Sequence, residues 1–268
     1  MRRAVVSLSL LAILASCTDD RVALRYGLEV GRRLGYRLTL TADVERTLSG
    51  TTRREEVRAS FRATQEVVAV TGDGATARMT LVPQRLTVDG RPVDPGTPQE
   101  FTVRLAADGR VVQIEEAEGD PSEPLSSVGI ERLLPRLRPV LPHAEVSTGE
   151  EWRSTTEFRD AAGEFEVAAR SRLAALDVVD GLRAALVRST YVTPVDRRET
   201  LANAVADVTG RDLAVHEAWF ALEGFLIRST GDSVGRYRVT FRPPGGEEQV
   251  APVEGALVVR LHTEMELA

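Results

Sequence analysis

The chain has one cysteine, no lysine and three histidines among its 268 residues. A single cysteine excludes a disulfide within the chain, and separated histidines give no basis for a transition-metal site. The formal net charge is −6, which makes nucleic acid and anionic lipid surfaces poor partners. We therefore expect no metal, no cofactor and no nucleic-acid partner.

One apolar run is present, over residues 4–15, and it is too short to span a bilayer. A helix of that length reaches about 18 Å at about 1.5 Å per residue, against a hydrocarbon core of about 30 Å. Arg2 and Arg3 precede the run, and Ser16 follows it. A basic start, a short apolar centre and a small-residue exit predict a secretory signal peptide over residues 1–16. An N-terminal core helix with a chance cysteine is the alternative.

The end of this leader, Leu14-Ala15-Ser16-Cys17, resembles the lipobox of bacterial lipoproteins. The resemblance implies that the leader is removed and that Cys17 becomes the first mature residue, carrying diacylglycerol and a further acyl chain such as palmitate. The membrane is then a partner through the N-terminal lipid, since several acyl chains give stable attachment. The implied location is the cell envelope. Thr18 after the cysteine favours the periplasmic face of the outer membrane in a diderm cell.

Strict alternation of apolar and polar residues predicts strands with one buried face. From Tyr36 to Val44 the apolar residues occupy every second position. The same period returns over residues 57–63, 101–105, 165–169, 237–241 and 257–267. One-faced strands are typical of antiparallel sheets.

Four Asp-Gly dipeptides separate the apolar runs. They are Asp73-Gly74, Asp89-Gly90, Asp108-Gly109 and Asp180-Gly181. Glycine accepts positive φ at little cost and aspartate tolerates turns, so each dipeptide predicts a hairpin.

Helical spacing of apolar residues occurs in two places. The first runs from Leu125 to Leu137, where Pro135 would end a helix early. The second covers residues 199–209. Its apolar face would contain Leu201, Ala204, Val205 and Val208. Either helix would lie against a sheet as a lid; the alternative is that both segments are irregular connections.

Two segments share the spaced pattern Glu-Val-x5-[Tyr/Trp]-Arg, which begins at Glu29 and again at Glu145. We interpret them as the starts of two β-meanders, over residues 28–120 and 143–268. A Pro-rich connection with a possible helix, residues 121–142, joins them. A lipid-anchored tether and first strand, residues 17–27, precede them. Chance similarity among short amphipathic strands is the alternative.

The expected fold is therefore mainly β. Curved antiparallel sheet from the two meanders would close partly into a barrel, with one or two short helices. With the lipobox, this pattern resembles the open-barrel lipoproteins of bacterial envelopes, of the LolA, LppX and LprG type, and also uncharacterised two-repeat bacterial lipoproteins. The first resemblance implies a non-catalytic protein that holds an acyl chain or envelope lipid in a sheet-lined cavity. The alternative is a tethered interaction or scaffold module with a filled core, whose partner is an envelope protein.

The candidate ligand-binding residues are apolar positions of the alternating strands. They are Leu38, Leu40, Phe61, Phe165, Val239 and Phe241. Burial of apolar area, at about 25 cal/mol per Å², would hold the ligand. Each of these side chains serves equally well as the filling of a closed core.

One catalytic pattern is present, because residues 231–235 read G-x-S-x-G around Ser233. In serine hydrolases this pattern turns a strand sharply into a helix, whereas the residues after Ser233 alternate as a strand. His262, the one histidine that follows, falls on the polar face of its strand. We interpret Ser233 as a hairpin-turn residue and expect no catalytic residues. A serine hydrolase has the least support of the three functions.

The lipid anchor gives the first testable prediction. Replacement Cys17→Ser removes the thiol that receives the diacylglycerol. We expect it to abolish metabolic labelling with radioactive palmitate and to leave residues 1–16 attached, as read from the intact mass. Labelling of the variant at the level of the unmodified chain would contradict the lipobox interpretation.

Overall fold

The computed structural model describes residues 21–116, 133–160, 163–201, 204–242 and 252–268. The predicted leader, Cys17 and most of the Pro-rich connection lie outside the described residues. The described part contains one 3-10 turn and twelve strands. The strands are β1 (Arg33–Leu48), β2 (Thr51–Thr71), β3 (Gly74–Val88), β4 (Arg91–Val93), β5 (Gln99–Ala106), β6 (Val111–Glu116), β7 (Glu151–Asp160), β8 (Gly163–Val179), β9 (Leu182–Leu201), β10 (Ala204–Ala221), β11 (Phe225–Arg242) and β12 (Val253–Leu267).

Eleven of these strands form a nearly closed antiparallel barrel. Neighbours along the chain pair with each other, β12 returns to pair with β1, and the short β4 hangs on the side of β3. Within the described residues, β6 and β7 share a single parallel bridge, between Gln113 and Arg159, so the barrel has one unsealed seam. The expected mainly β, partly closed barrel is confirmed.

The alternation in the sequence sets which side chains face the inside of this barrel. Tyr36, Leu38, Leu40 and Ala42 on β1 are at most 3 % exposed, and the polar residues between them face outward. Leu38 is paired with Phe61 on β2 and with Met265 on β12, so the apolar faces of three strands meet inside the barrel. Burial of these faces is the main force that closes the sheet.

All four predicted Asp-Gly hairpins are present between consecutive strands. At two of them the backbone shows why this dipeptide is used. Asp89 and Asp180 have φ of 49° and 51°, and Gly90 and Gly181 follow with φ of 74° and 79°. Positive φ at both central residues is the geometry that matches the twist of a two-residue hairpin.

The helix predicted over residues 199–209 is wrong. β9 continues to Leu201, β10 begins at Ala204, and Val205 is paired with Thr200. Val205 and Val208 are three residues apart on one strand and therefore face opposite sides of the sheet, so their helical spacing does not mark one shared face. Of the first predicted helix, residues 125–132 lie outside the described residues; Leu133 is helical and is followed by the 3-10 turn Leu134–Arg136. Beyond this turn, Pro139 is incompatible with a continued helix.

The two expected meanders correspond to β1–β6 and β7–β12, and the repeated aromatic positions Tyr36 and Trp152 lie on the first strand of each. That the two halves are copies stays a prediction. The first strand expected within residues 17–27 is not found in the described residues 21–27. Val22 there makes an isolated antiparallel bridge with Val146 instead.

The two ends of the barrel differ. We call the end at which residues 21–32 lie the near end; its second core cluster packs Leu24, Leu141 and Phe220 together. The opposite, far end carries a separate apolar cluster on β9–β12. That far-end cluster consists of buried Val195, Ala206, Val208 and Val239, with Tyr237, Phe241 and Leu257 packed against it. The main core is formed chiefly by β1, β2, β3, β5, β6 and β12, with Ala218 of β10 and Leu226 of β11.

Candidate functional site

The inside of the barrel is occupied by the chain itself. Residues 133–141, which we call the lumen segment, pass along the inner wall with little regular secondary structure. Leu133 and Leu137 belong to the main core, and Leu141 to the near-end core. A barrel of about eight strands is filled by its own side chains, and more strands enclose more space. The lumen segment supplies the additional filling that eleven strands require.

Irregular backbone can be buried only if its polar groups find partners. Four consecutive carbonyls of the lumen segment, those of residues 137–140, each accept a hydrogen bond from a side chain of a different element. The donors are Ser229 Oγ on β11 to Leu137 O (3.2 Å), Tyr191 Oη on β9 to Arg138 O (3.3 Å), Tyr26 Oη near the N-terminus to Pro139 O (2.7 Å) and Trp152 Nε1 on β7 to Val140 O (2.8 Å).

Part of the amide side of the segment is accounted for by prolines and by backbone hydrogen bonds. Pro135, Pro139 and Pro142 have no N–H to satisfy. The N–H of Leu141 donates to the carbonyl of Asp108 at 2.9 Å, in the β5–β6 hairpin. The N–H of Leu137 donates to the carbonyl of Leu133 at 3.1 Å. The prolines therefore lower the cost of burying this stretch.

Two arginines of the lumen segment are buried in different surroundings. Arg136 Nη2 lies 2.8 Å from Asp212 Oδ2 on β10, and Tyr237 Oη also donates to this carboxylate. Arg138 has no carboxylate partner among the described residues. Its Nη2 donates to Gln65 Oε1, and its guanidinium lies over the ring of Tyr26, 5.4 Å from the centroid.

His216 on β10 faces the lumen segment and is 3 % exposed. Within the described part of the chain, neither ring nitrogen makes a well-aligned hydrogen bond. Burial lowers the pKa of this ring to about 4, against a smaller opposing effect of the Leu137 backbone. His216 is therefore neutral near pH 7, and the nearby Arg136–Asp212 ion pair stays the main charged contact at this level of the barrel.

The cavities around the lumen segment are small. A void of about 20 Å³ lies beside His216 and Arg136, and another of about 10 Å³ lies between Arg32 and Arg138. The larger void has room for about one or two water molecules and the smaller for about one. An acyl chain needs a cavity of several hundred Å³, so neither void can hold one.

A more voluminous concave feature lies on the hairpin of β1 and β2 and has a volume of about 460 Å³. It is open and lined mainly by charged side chains, which are Asp43, Glu45, Arg54, Glu55, Glu56, Asp89 and Arg260. The ion pair of Arg54 with Glu45 (2.9 Å) crosses the hairpin. This lining suits neither an apolar ligand nor, among the described residues, a metal ion.

The structure divides the predicted ligand-binding residues into two groups. Leu38, Leu40 and Phe61 are at most 2 % exposed and pack in the core that includes Leu133 and Leu137. Val239 and Phe241 belong to the far-end cluster. The side chain of Phe165 lies outside the described residues, although its backbone pairs with Phe158. Cys17, the predicted lipid site, also lies outside them.

Ser233 is in the middle of β11, paired with Ala214, so its prediction as a turn residue is wrong. Its strand runs on without the sharp turn that exposes a nucleophilic serine. His262 is on the outer face of β12, where Nδ1 lies 2.8 Å from Asp232 Oδ1 and Nε2 lies 3.3 Å from Glu264 Oε1. These carboxylates raise the pKa of the His262 ring, Asp232 having the larger effect.

Sequence reasoning missed the residues that hold the lumen segment. Trp152 is the aromatic residue of the second repeated pattern, but the pattern gives no sign of its bond to Val140. The available signal is the three prolines set among leucines over residues 133–142, which the sequence interpretation assigns to a connection or lid. Its partners lie far away in the chain, so the spacing of residues gives no sign of them.

Comparison with known proteins adds little. The sequence matches no family model and no curated protein. Among solved structures, the chain has a likeness to a DUF1329 family protein from Desulfovibrio piger, with 10 % identity over 84 % of this chain and 83 % of that one, and a TM-score of 0.16. At this TM-score the likeness carries no inference about ligand or partner. No helix in the described ranges has the length and apolar character needed to cross a membrane.

The carbonyl bonds of the lumen segment give a stability prediction. Replacement Trp152→Phe removes the N–H that Val140 O accepts and leaves a buried carbonyl unpaired. We expect the free energy of unfolding in urea to fall by about 1–3 kcal/mol. Trp219→Phe, which trims a partly buried ring with no such bond, is the matched control and should cost clearly less. Equal losses in the two variants would show that the Trp152 bond contributes nothing.

The buried histidine predicts a dependence of stability on pH. The folded pKa of His216, about 4, is below its unfolded value of about 6.5, so the folded chain binds fewer protons. Its contribution is fully present above pH 6.5 and is lost as the pH falls through 4. The lowered pKa of His216 corresponds to a total loss of about 3 kcal/mol in the free energy of unfolding. His216→Gln should flatten urea stability between pH 6.5 and 4 relative to the unmodified chain.

His262→Gln is the control for this titration. The pKa of His262 is raised, so its contribution is present below about pH 6.5 and is lost as the pH rises through the raised value. Removal of the His262 ring should therefore change the pH dependence of stability in the sense opposite to that expected for His216→Gln. An unchanged pH profile in the His216 variant would show that this ring is not held neutral by burial.

Proposed function

We propose that this protein is a non-catalytic interaction module of the bacterial cell envelope, tethered by lipid on Cys17 and built on a filled, rigid barrel. One observation carries the proposal: the lumen segment occupies the space that an apolar ligand would take. The predicted ligand-binding residues Leu38, Leu40 and Phe61 are already covered, in part by Leu133 and Leu137. The protein then acts through its outer surface, on an envelope protein.

The energetics of the lumen segment support a permanent filling. Its departure would leave Ser229, Tyr191, Tyr26 and Trp152 as buried donors without their acceptors. Each unpaired buried group costs about 1–3 kcal/mol, so four cost about as much as the whole stability of a typical domain. An acyl chain has no acceptor to offer these donors along its methylenes. A ligand that replaced the segment would therefore bind poorly.

The outer surface of the described residues includes an apolar patch on β9 and β10 that suits a partner. Val192 on β9 is paired with Leu213 on β10, and Val215 lies two residues further on the same face. These side chains are 45 %, 39 % and 56 % exposed. Outward-facing positions of this sheet are otherwise rich in charge, as in the Arg188–Glu217 pair close by. A cluster of exposed branched side chains on such a face is a candidate protein contact.

An apolar-ligand carrier is the second candidate, and the far-end cluster favours it. Val239 and Phe241 belong to this cluster, and it packs separately from the main core and from Leu133 and Leu137. A short apolar chain entering from the far end would meet this cluster first and would leave the carbonyl bonds of the lumen segment intact.

A test for bound lipid separates the two candidates. Residues 18–268 are exported behind a leader that lacks the lipobox and are purified without detergent. We expect native mass spectrometry to show the mass of the bare chain, and a fluorescent C16 fatty acid to show no saturable binding, because the barrel is full. A bound lipid, or uptake that is lost on Val239→Trp, would overturn the filled-barrel function and establish the carrier.

The surface is tested in cells with the full-length lipoprotein. A photo-crosslinking residue is placed at Val215, and in a matched control at Val178, which is 63 % exposed on β8. We expect a discrete crosslinked envelope protein from position 215 only, and its loss on Leu213→Ser. Identical patterns from the two positions would contradict the assignment of this patch.

A further inference from the structure

Arg138 is a buried guanidinium whose charge is not balanced by a carboxylate of the described residues. Its side chain is 6 % exposed, and its Nη1 has no hydrogen-bond partner among the described residues. No described carboxylate is paired with it. A buried cation without a counter-charge costs several kcal/mol, because the low-dielectric interior does not replace its hydration. A ring contact with Tyr26 and one bond to Gln65 offset only part of this cost.

A second guanidinium faces the same space. Arg32 is half-buried and likewise has no described carboxylate partner. It donates to two backbone carbonyls, of Gly27 at 3.3 Å and of Glu223 at 3.4 Å, and lies over the ring of Phe225, 5.3 Å from the centroid. Glycine at 27 leaves room for the guanidinium in this position, since a Cβ there would displace Arg32 Nη1.

The two arginines line the void of about 10 Å³ at the near end of the barrel. Gln65 and the Tyr26 and Tyr36 side chains complete its polar lining, and Leu226 adds apolar wall. A volume of this size admits a single water-sized species. Two guanidiniums without counter-charges, one of them with a free N–H, specify an anion in that position.

We propose that the void between Arg32 and Arg138 binds one monatomic halide anion, chloride in its ordinary setting. Chloride is close to water in size and accepts several N–H donors without preferred direction. Acetate and sulfate are too large for about 10 Å³. The anion neutralises Arg138, which lies on the lumen segment, and therefore holds that segment in the barrel. This site is independent of the proposed function, because it requires neither the lipid anchor nor an outer partner.

The test measures thermal unfolding of the chain at fixed ionic strength while chloride replaces methanesulfonate from about 0.01 to 0.3 M. Binding to the folded state alone should raise Tm by about 5 °C, and bromide should act similarly. Arg138→Gln and Arg32→Gln should each reduce the rise to about 1 °C. Arg37→Gln, which removes the same charge from an exposed position on β1, should retain it.

The anion can also be located directly in the unmodified chain, which avoids variants that fold poorly. Crystals of the unmodified chain soaked in bromide should show an anomalous peak between the two guanidiniums. An equal Tm in chloride and methanesulfonate, with no such peak, would overturn the proposal in favour of a water molecule. An equal rise in sulfate and acetate would also overturn it, because general screening and not a size-selective site would then explain the effect.

Discussion

The structure depends on the hydrogen bonds that four side chains make to four consecutive backbone carbonyls inside a barrel. Without Ser229, Tyr191, Tyr26 and Trp152 as donors, the carbonyls of residues 137–140 would be buried and unpaired, and the lumen segment could not lie where it does. Without that segment, an eleven-stranded wall would enclose space that its own side chains do not fill. The donors come from β7, β9, β11 and the N-terminal stretch, so this one set of bonds joins parts of the wall that do not pair with one another.

The same constraint decides what the barrel can do. The inner wall is apolar, as a carrier of acyl chains requires. The space inside it, however, is occupied by the leucines of the lumen segment and by the polar network around them. Burying charge on that segment has consequences: Arg136 is matched by Asp212, and Arg138 is left without a carboxylate. From the filled barrel we infer a function at the outer surface, and from the buried arginine without a carboxylate partner we infer a small bound anion. These two inferences have the same origin in the lumen segment.

Much of the wall could be predicted from the sequence, because period-two alternation and Asp-Gly turns are local signals. Tyr36, Leu38, Leu40 and Ala42 face inward as the alternation indicates, and the Asp89-Gly90 and Asp180-Gly181 turns adopt the positive φ that a two-residue turn needs. The helix over residues 199–209 was wrong because the spacing of a helical stripe also occurs by chance in a hairpin, where Val205 and Val208 face opposite sides of the sheet. The site itself could not be predicted from the sequence. Trp152, Tyr191 and Arg138 contact partners far away in the chain, and no spacing within the sequence encodes those contacts. The lipid on Cys17 stays a prediction.

Amide hydrogen exchange, followed by mass spectrometry on a peptide covering residues 133–141, tests the central claim most directly. A segment locked inside the barrel should exchange as slowly as β1 and β12, since its N–H groups are then released only by opening of the wall. Exchange at the rate of the exposed turn at Asp89-Gly90 would show that the segment leaves the lumen readily, and the filled barrel would then be contradicted.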